Sequence, residues 1–329
     1  MKAGFIAALL AIAMLCASAM AQENTADYWY KTGINLAGNG SYEKAVEAYE
    51  NAIKLSPKNA TLWDAKASSQ SMAAVFSKNR SEYNESLKAE DKAIELDPKN
   101  STLWVNKAFL DANLADLRGH NESGYQDALK DLDRAIEINP QDKRAWLFKG
   151  AVLDSRLNKY DEALAAYDKA IEIGGTNASD KVLLSNAWEG KGYALSKLGK
   201  YNESFEALDK AIELSPQNAG SIWYTKAEAL NNSGRYDDAL KAYDRSIELK
   251  GPMDLAYEGK GEALFKLGKY NDAVKAYDEA KAYDEAIELF PLEASGPAWY
   301  KKGIALKALD KTSESDAAFA KAKELGYQE

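Results

Sequence analysis

Apolar residues recur along this chain at helical spacing, in short blocks separated by polar turns. In the first block Trp29 and Ile34 belong to one apolar series, residues 38–40 interrupt it, and a second series begins at Ala45. Pro57 cannot continue the second helix, so it marks the turn into the next block. The pattern predicts a helix, a turn and a second helix.

This block occurs eight times. A large aromatic residue lies in each predicted first helix, and Gly or Ala follows four residues later. The aromatic markers are Trp29, Trp63, Trp104, Trp146, Trp188, Trp223, Tyr257 and Trp299, and the small residues are Gly33, Ala67, Ala108, Gly150, Gly192, Ala227, Gly261 and Gly303. One block cannot bury its apolar side alone, so stacked copies must share a core. We therefore expect an all-α array.

Two further positions repeat in the second helices. A Tyr near the turn appears as Tyr42, Tyr83, Tyr125, Tyr160, Tyr201, Tyr236 and Tyr270, with Thr312 in the last copy, and a late Ala as Ala52, Ala93, Ala135, Ala170, Ala211, Ala286 and Ala322, with Ser246 as the exception. With the Trp, Gly and Pro positions, this pattern resembles the tetratricopeptide repeat family. Exported archaeal repeat proteins look similar.

The resemblance covers about residues 26–329. It implies a right-handed α-solenoid of eight helix-turn-helix units, at about 26–59, 60–100, 101–142, 143–177, 185–218, 220–253, 254–293 and 296–329. The family pattern has Leu before the small residue, but this chain has Lys66, Lys107, Lys149, Lys191, Lys226, Lys260 and Lys302. We interpret these lysines as a solvated edge. The Trp row is expected in the core, and a sugar-stacking ladder is the alternative.

The spacing between markers is irregular at definite points. Extra residues before Tyr83 and Tyr125 should lengthen the first helices of the second and third repeats. In the seventh repeat residues 275–280 and 281–286 are identical copies, and six residues are not a whole number of helical turns. We therefore expect a local irregularity there, with Tyr277 and Tyr283 on different faces or part of the helix unwound.

The first residues differ from the rest. Lys2 precedes an uncharged stretch over residues 3–21, which predicts an export signal at 1–21, cleaved after Ala21, and a short segment 22–25 before the repeats. An uncleaved membrane anchor is the alternative. The only cysteine, Cys16, lacks the small residues that precede a lipidated cysteine. The mature chain would then contain no thiol for a disulfide or a metal site.

Composition narrows the function further. The 51 acidic and 42 basic residues give a net charge of −9, which argues against nucleic acid as a partner. His120 is the only histidine, and no motif supplies a nucleophile, a base or a set of metal ligands. We expect no enzyme activity, no cofactor and no metal. Contact with a membrane would require an uncleaved signal.

The family resemblance implies a ligand groove along the first helices. Carrying the family's contact positions onto this chain gives Tyr30, Ile34, Asp64, Val105, Phe109, Leu147, Glu189, Tyr193, Tyr224, Glu228, Glu258, Glu262 and Tyr300. This set is aromatic and acidic, so it suits a peptide segment with apolar and basic residues.

Nine sequons for N-glycosylation occur, which supports an exported, extracellular or cell-surface glycoprotein. They begin at Asn39, Asn59, Asn79, Asn84, Asn100, Asn121, Asn177, Asn202 and Asn231. We expect an interaction scaffold that binds a peptide segment or a partner protein. A self-associating envelope protein and a glycan-binding module are the alternatives.

Overall fold

The computed structural model describes residues 25–77, 80–286 and 296–327. These residues form α-helices joined by short turns, which confirms the all-α fold. The helices are α1 Ala26–Gly38, α2 Tyr42–Leu55, α3 Ala60–Ser77, α4 Arg80–Leu96, α5 Ser101–Leu117, α6 Glu122–Ile138, α7 Lys143–Ser155, α8 Tyr160–Ile173, α9 Ala178–Lys197, α10 Tyr201–Leu214, α11 Ala219–Asn232, α12 Tyr236–Glu248, α13 Met253–Lys266, α14 Tyr270–Ala286, α15 Gly296–Ala308 and α16 Thr312–Glu324. The predicted signal over 1–21 lies outside the described residues.

The chain divides into two compact units, Met1–Leu157 and Asn158–Glu329. In the first unit α1 packs on α2, α3 on α4 and α5 on α6, and each hairpin packs on the next. In the second unit α9, α11, α13 and α15 pack on α10, α12, α14 and α16 in the same way. Neighbouring first helices also touch each other directly, as α9 and α11 do. Within each unit the first helices therefore share one surface.

Small residues bring the two helices of a hairpin together. Gly192 on α9 leaves room for Leu208 on α10, whose Cγ would lie only 2.5 Å from an added Cβ. Ser204 Oγ donates a hydrogen bond to the Gly192 carbonyl oxygen at 2.7 Å, and Ser86 Oγ makes the equivalent bond to the carbonyl of Ala67. These bonds place a small second-helix residue directly against the first-helix backbone.

The described turns inside the hairpins contain at least one residue in the left-handed region. At the α9–α10 turn Gly199 has φ +75°, and the N–H of Lys200 donates back to the carbonyl of Leu195. This closes the end of the first helix.

The extra residues in the second and third repeats lengthen both helices. α3 has 18 residues and α5 has 17, against 13 in α1, and α4 and α6 have 17 each. The lengthened first helices that the spacing predicts are confirmed. α14 is continuous from Tyr270 to Ala286, so the duplicated segment does not unwind there. Tyr277 is buried, and the side chain of Tyr283 lies outside the described residues.

The Trp row packs against the buried core as expected, but its rings are not fully buried. The core contacts are those of Trp29, Trp63, Trp104, Trp188 and Trp223. Three of the indoles donate from Nε1 to the carbonyl of the Pro six residues earlier: Trp63 to Pro57, Trp104 to Pro98 and Trp146 to Pro140. The indole therefore closes the turn between repeats with its N–H, while part of the ring stays at the surface.

The lysines that precede the small residue form ion pairs and are not a free solvated edge. Each ammonium meets a carboxylate on the second helix of the preceding repeat. Six of the seven ammonium groups also lie 5.0–5.9 Å from the centre of the Trp ring three residues earlier: those of Lys66, Lys107, Lys149, Lys191, Lys226 and Lys302. The pairs are Lys66–Glu50, Lys107–Asp91, Lys149–Asp133, Lys191–Asp168, Lys226–Asp209, Lys260–Asp244 and Lys302–Asp278. The acids are well exposed, so each pair contributes little stability alone.

Candidate functional site

The predicted groove residues all lie on first helices. They are the residues one and five positions after the aromatic marker, and residues four apart lie on the same helix face. Most are partly exposed, and Ile34 and Phe109 are among the most exposed large apolar side chains, at 46% and 48%. Val105 differs, because only 8% of it is exposed. It packs inside the array and offers little surface to a ligand.

In the first unit this surface is mainly apolar. The ring of Tyr30 lies 6.0 Å from that of Tyr49, and the ring of Phe109 lies 5.9 Å from that of Phe148, which follows Leu147 on α7. Phe148 was missed because it lies two positions after its marker, and the family's contact positions do not include that place. The exposed aromatic area is therefore larger than the sequence predicts.

In the second unit this surface combines tyrosines with carboxylates. The ring of Tyr193 lies 6.5 Å from Tyr160, and that of Tyr224 lies 6.2 Å from Tyr243. Tyr243 Oη donates to Glu228 Oε1 at 2.5 Å. Burial, followed by the negative charge of Glu228, raises the pKa of both Tyr224 and Tyr243. Both phenols therefore keep their protons and act as hydrogen-bond donors.

A contact between successive repeats recurs at this surface. The acid one position after the marker meets the residue two positions after the next marker. Asn106 Nδ2 donates to Asp64 Oδ1 at 2.8 Å, Thr225 Oγ1 to Glu189 Oε1 at 3.2 Å, and Lys301 Nζ to Glu258 Oε1 at 2.7 Å. Lys301 also reaches Glu262 Oε2 at 3.2 Å.

The residue that donates to the acid in this contact differs in charge from repeat to repeat. Asp64 and Glu189 receive hydrogen bonds from neutral groups, and burial raises the pKa of each carboxyl group. Glu258 faces an ammonium. Burial lowers the pKa of Lys301, but its bonds to Glu258 and Glu262 outweigh that effect and raise it overall. Lys301 therefore stays charged and neutralises part of the acidic surface.

Buried acids lie next to this surface in the first unit, and sequence reasoning missed them. Glu90 on α4 is fully buried, and burial together with the nearby Asp64 raises its pKa to about 9. Asp131 on α6 is 9% exposed, and burial raises its pKa as well, with Asp111 beside it. Acidic residues are usually interpreted as surface residues. An alignment of the repeats identifies Glu90 as unusual, because its position is apolar or aromatic in the other copies.

The lone histidine lies in the long turn before α6. His120 has φ +59°, and its Nδ1 is 2.9 Å from Tyr125 Oη, which also meets Asp116. Asp116 receives three hydrogen bonds from Arg156, at 2.9, 3.0 and 3.2 Å. Burial and the bond to Asp116 raise the pKa of Tyr125 to about 12. These hydrogen bonds connect α5 and α6 with the turns that follow α5 and α7.

The candidate glycosylation sites differ in their surroundings. Asn59, Asn100, Asn121 and Asn177 use their side-chain oxygens to accept a backbone N–H at a helix start, from Thr61, Thr102, Ser123 and Asp180. A helix-capping Asn followed by Ser or Thr in the first turn produces the same pattern as a sequon. Asn39, Asn84 and Asn202 are exposed, and Asn79 lies outside the described residues.

Asn231 corrects the prediction. It is only 8% exposed, and its Oδ1 accepts no hydrogen bond from the described residues. A glycan does not fit at this position in the folded chain.

Over residues 25–77, 80–286 and 296–327, no group of three or more His, Cys, Asp or Glu side chains is arranged to hold a metal ion. None of the helices in this part of the chain is long and apolar enough to cross a membrane.

Fold and site together define a class: repeated helical hairpins whose first helices share an aromatic and acidic surface. The sequence pattern of the tetratricopeptide repeat matches residues 26–59, 120–178, 185–218 and 224–287, which is more than half of the chain. The chain belongs to the tetratricopeptide repeat family.

Two solved structures are similar in fold. A tetratricopeptide repeat protein from Parabacteroides merdae is 18% identical, with a TM-score of 0.59 over 88% of this chain and 98% of that one. PilW, described as a type IV pilus biogenesis factor, is 18% identical, with a TM-score of 0.53 over 68% of this chain and 96% of that one. The comparison with curated proteins gives no match.

Proposed function

We propose that this protein is an exported, non-enzymatic scaffold that binds an apolar and basic segment of a partner protein on its first-helix surfaces. Membership in the tetratricopeptide repeat family supports the scaffold role, because such repeats serve protein interactions. The uncharged leader supports export to the cell surface, and the exposed sequons support glycosylation there.

The second unit carries the chemical part of this proposal. Tyr193 and Tyr224 are rigid aromatic side chains that remain partly exposed, and Glu189 and Glu228 lie on the same surface. Aromatic anchors supply most of the binding energy at protein interfaces, and carboxylates select partners that carry positive charge. The observation that carries the proposal is that successive first helices place tyrosines and carboxylates on the same surface.

Removal of both tyrosines should weaken binding. The mature chain and its Tyr193→Ala/Tyr224→Ala variant are titrated against a fluorescent peptide of lysine, leucine and tyrosine. We expect at least a tenfold loss of affinity, because an aromatic hot spot contributes about 2 kcal/mol or more. Tyr201→Ala/Tyr236→Ala, on second helices of the same unit, is the matched control and should bind as the wild type does. Equal affinity of the Tyr193/Tyr224 variant and the wild type would refute the proposal.

The alternatives predict other results. An envelope protein that self-associates would show a mass in light scattering that rises with concentration and no affinity for the peptide. A glycan-binding module would bind cell-wall polysaccharide through the same tyrosines, with no preference for basic peptides.

A further inference from the structure

Glu90 occupies a position that the other repeats fill with large apolar or aromatic side chains. Glu90 lies seven residues after Tyr83, the Tyr near the turn of its repeat. The other copies have Tyr49, Leu132, Tyr167, Leu208, Tyr243, Tyr277 and Phe319 at this position. The fold therefore does not need an acid at this position. Burying a carboxyl group costs free energy that a leucine would not cost. A residue that destabilises the fold, at a position where the other repeats have a stabilising one, indicates a function.

The carboxyl group of Glu90 also lacks a hydrogen-bond donor that would stabilise its ionised form. It is fully buried, and neither oxygen accepts a hydrogen bond from an N–H or O–H of the described residues. Glu90 instead interacts with the carboxyl group of Asp64 on α3, which is partly exposed at the first-helix surface. These two carboxyl groups share one proton, because two adjacent buried negative charges repel each other strongly.

The charged groups around this pair come from four helices. Asp64 lies on α3, Asp91 follows Glu90 on α4, Lys107 lies on α5, and Arg144 on α7 faces Asp64. Lys107 is paired with Asp91 at 3.0 Å. The Asp64 carboxyl receives its nearest hydrogen bond from the neutral amide of Asn106, so a cation can still lower the energy of this site.

The seventh and eighth repeats show which cation fits. Asp64 and Glu258 occupy the same position in their repeats, and so do their partners Asn106 and Lys301. Lys301 places a primary ammonium 2.7 Å from Glu258 and 3.2 Å from Glu262. At the equivalent place in the second and third repeats the chain supplies an amide instead of an ammonium. A lysine of the partner can supply the missing charge.

We propose that Asp64, Glu90 and Asn106 form a binding site for a primary ammonium group, supplied by a lysine side chain of the partner, which replaces the proton that the two carboxyl groups share. The source of the lysine rests on the proposed function. On binding, the Glu90 carboxyl releases its proton to the solvent, and the ammonium then faces two carboxylates and the oxygen of the Asn106 amide in its flipped orientation. Binding should therefore strengthen as the pH rises toward 9, where Glu90 loses its proton without help.

The test uses n-butylammonium, which has the shape of a lysine side chain, and the mature chain with carboxyl-labelled glutamate. Carbon NMR reports the protonation of Glu90 directly, and Glu90→Gln identifies its signal. We expect n-butylammonium at neutral pH to move the Glu90 signal to the position of an ionised carboxylate. We also expect Asp64→Asn and Glu90→Gln to weaken binding at least tenfold, because a hydrogen bond to a charged group contributes about 1.5–3 kcal/mol.

Control titrations separate the outcomes. n-Butanol should leave the Glu90 signal in place, and Glu213→Gln, which changes an exposed acid on α10 in the second unit, should leave the response unchanged. The proposal is wrong if the Glu90 signal does not move, if Glu90→Gln binds n-butylammonium as tightly as the wild type, or if Ca²⁺ alone shifts the signal more strongly than the ammonium.

The basic peptide of the previous section distinguishes this inference from the proposed function. If the wild type and Glu90→Gln bind that peptide equally and Glu90 stays protonated, the ammonium site is wrong and the scaffold function stands. If n-butylammonium ionises Glu90 but the peptide does not bind, the site stands and the proposed partner class is wrong.

Discussion

Replacing Glu90 with leucine is expected to stabilise the first unit by about 2–4 kcal/mol at pH 7.5. The variant removes a fully buried carboxyl group without a hydrogen-bond donor, and it gains the burial of an apolar side chain. Leu132 shows that leucine fits, because it fills the same position of the third repeat, where the marker-plus-four residue is alanine, as it is in the second repeat. Urea unfolding and hydrogen exchange of α3–α6 measure the change.

The pH dependence gives this prediction its sign. An ordinary glutamate ionises near 4.5, whereas folding raises the pKa of Glu90 to about 9. Between these values the folded state holds a proton that the unfolded chain has released, so stability falls as the pH rises. The slope approaches about 1.4 kcal/mol per pH unit for one group. Glu90→Leu should lose this slope between pH 7 and 9.

Glu90→Gln is the matched control for these measurements. It also removes the ionisation and therefore the slope, but it keeps a polar group in the core and should gain less stability than leucine. If Glu90→Leu destabilised the unit, or if its stability fell between pH 7 and 9 as steeply as that of the wild type, the buried acid would be part of what holds the fold.

Replacing Tyr243 with alanine is expected to destabilise the second unit by about 3–5 kcal/mol. The side chain is fully buried, and its ring lies where a Cβ on Gly259 would come within 2.4 Å of Cζ. The truncation leaves a cavity between α12 and α13 and removes the support of the Tyr224 ring. Urea unfolding measured by tryptophan fluorescence, with hydrogen exchange of α11–α13, reports the loss.

Tyr243→Phe separates packing from hydrogen bonding. It keeps the ring and removes only the bond to Glu228, so we expect a loss of about 0.5–1.5 kcal/mol. A Tyr243→Ala variant that lost no more than Tyr243→Phe would contradict the claim that this ring fills the space between neighbouring repeats.

The fold was largely predictable because one pattern of apolar and turn residues occurs eight times in the sequence. The marker aromatics, the small residue four positions later and the turn residues place each hairpin, and Gly192 with Ser204 shows that small residues mark helix contacts. The lengthened α3 and α5 followed from the spacing alone. Local periodicity and helix-terminating turn residues determine such features, so the sequence predicts them.

The site was less predictable because it depends on contacts between repeats. The exposure of Trp146 depends on a bond to Pro140 and on Lys149 above the ring, and the pair of Lys149 with Asp133 spans two repeats. Lys301 was not expected to cover Glu258, because its partner lies 43 residues away. Composition does not show which charges meet across repeats.

Selection from a random peptide library tests the central claim most directly. The mature chain is used as bait, and every enriched peptide is tested again against Tyr193→Ala/Tyr224→Ala. The account predicts that the enriched peptides combine aromatic or aliphatic residues with lysine or arginine, and that they lose at least tenfold in affinity for the variant. Enrichment of acidic peptides, or of basic peptides that bind the variant as tightly as the wild type, would contradict it.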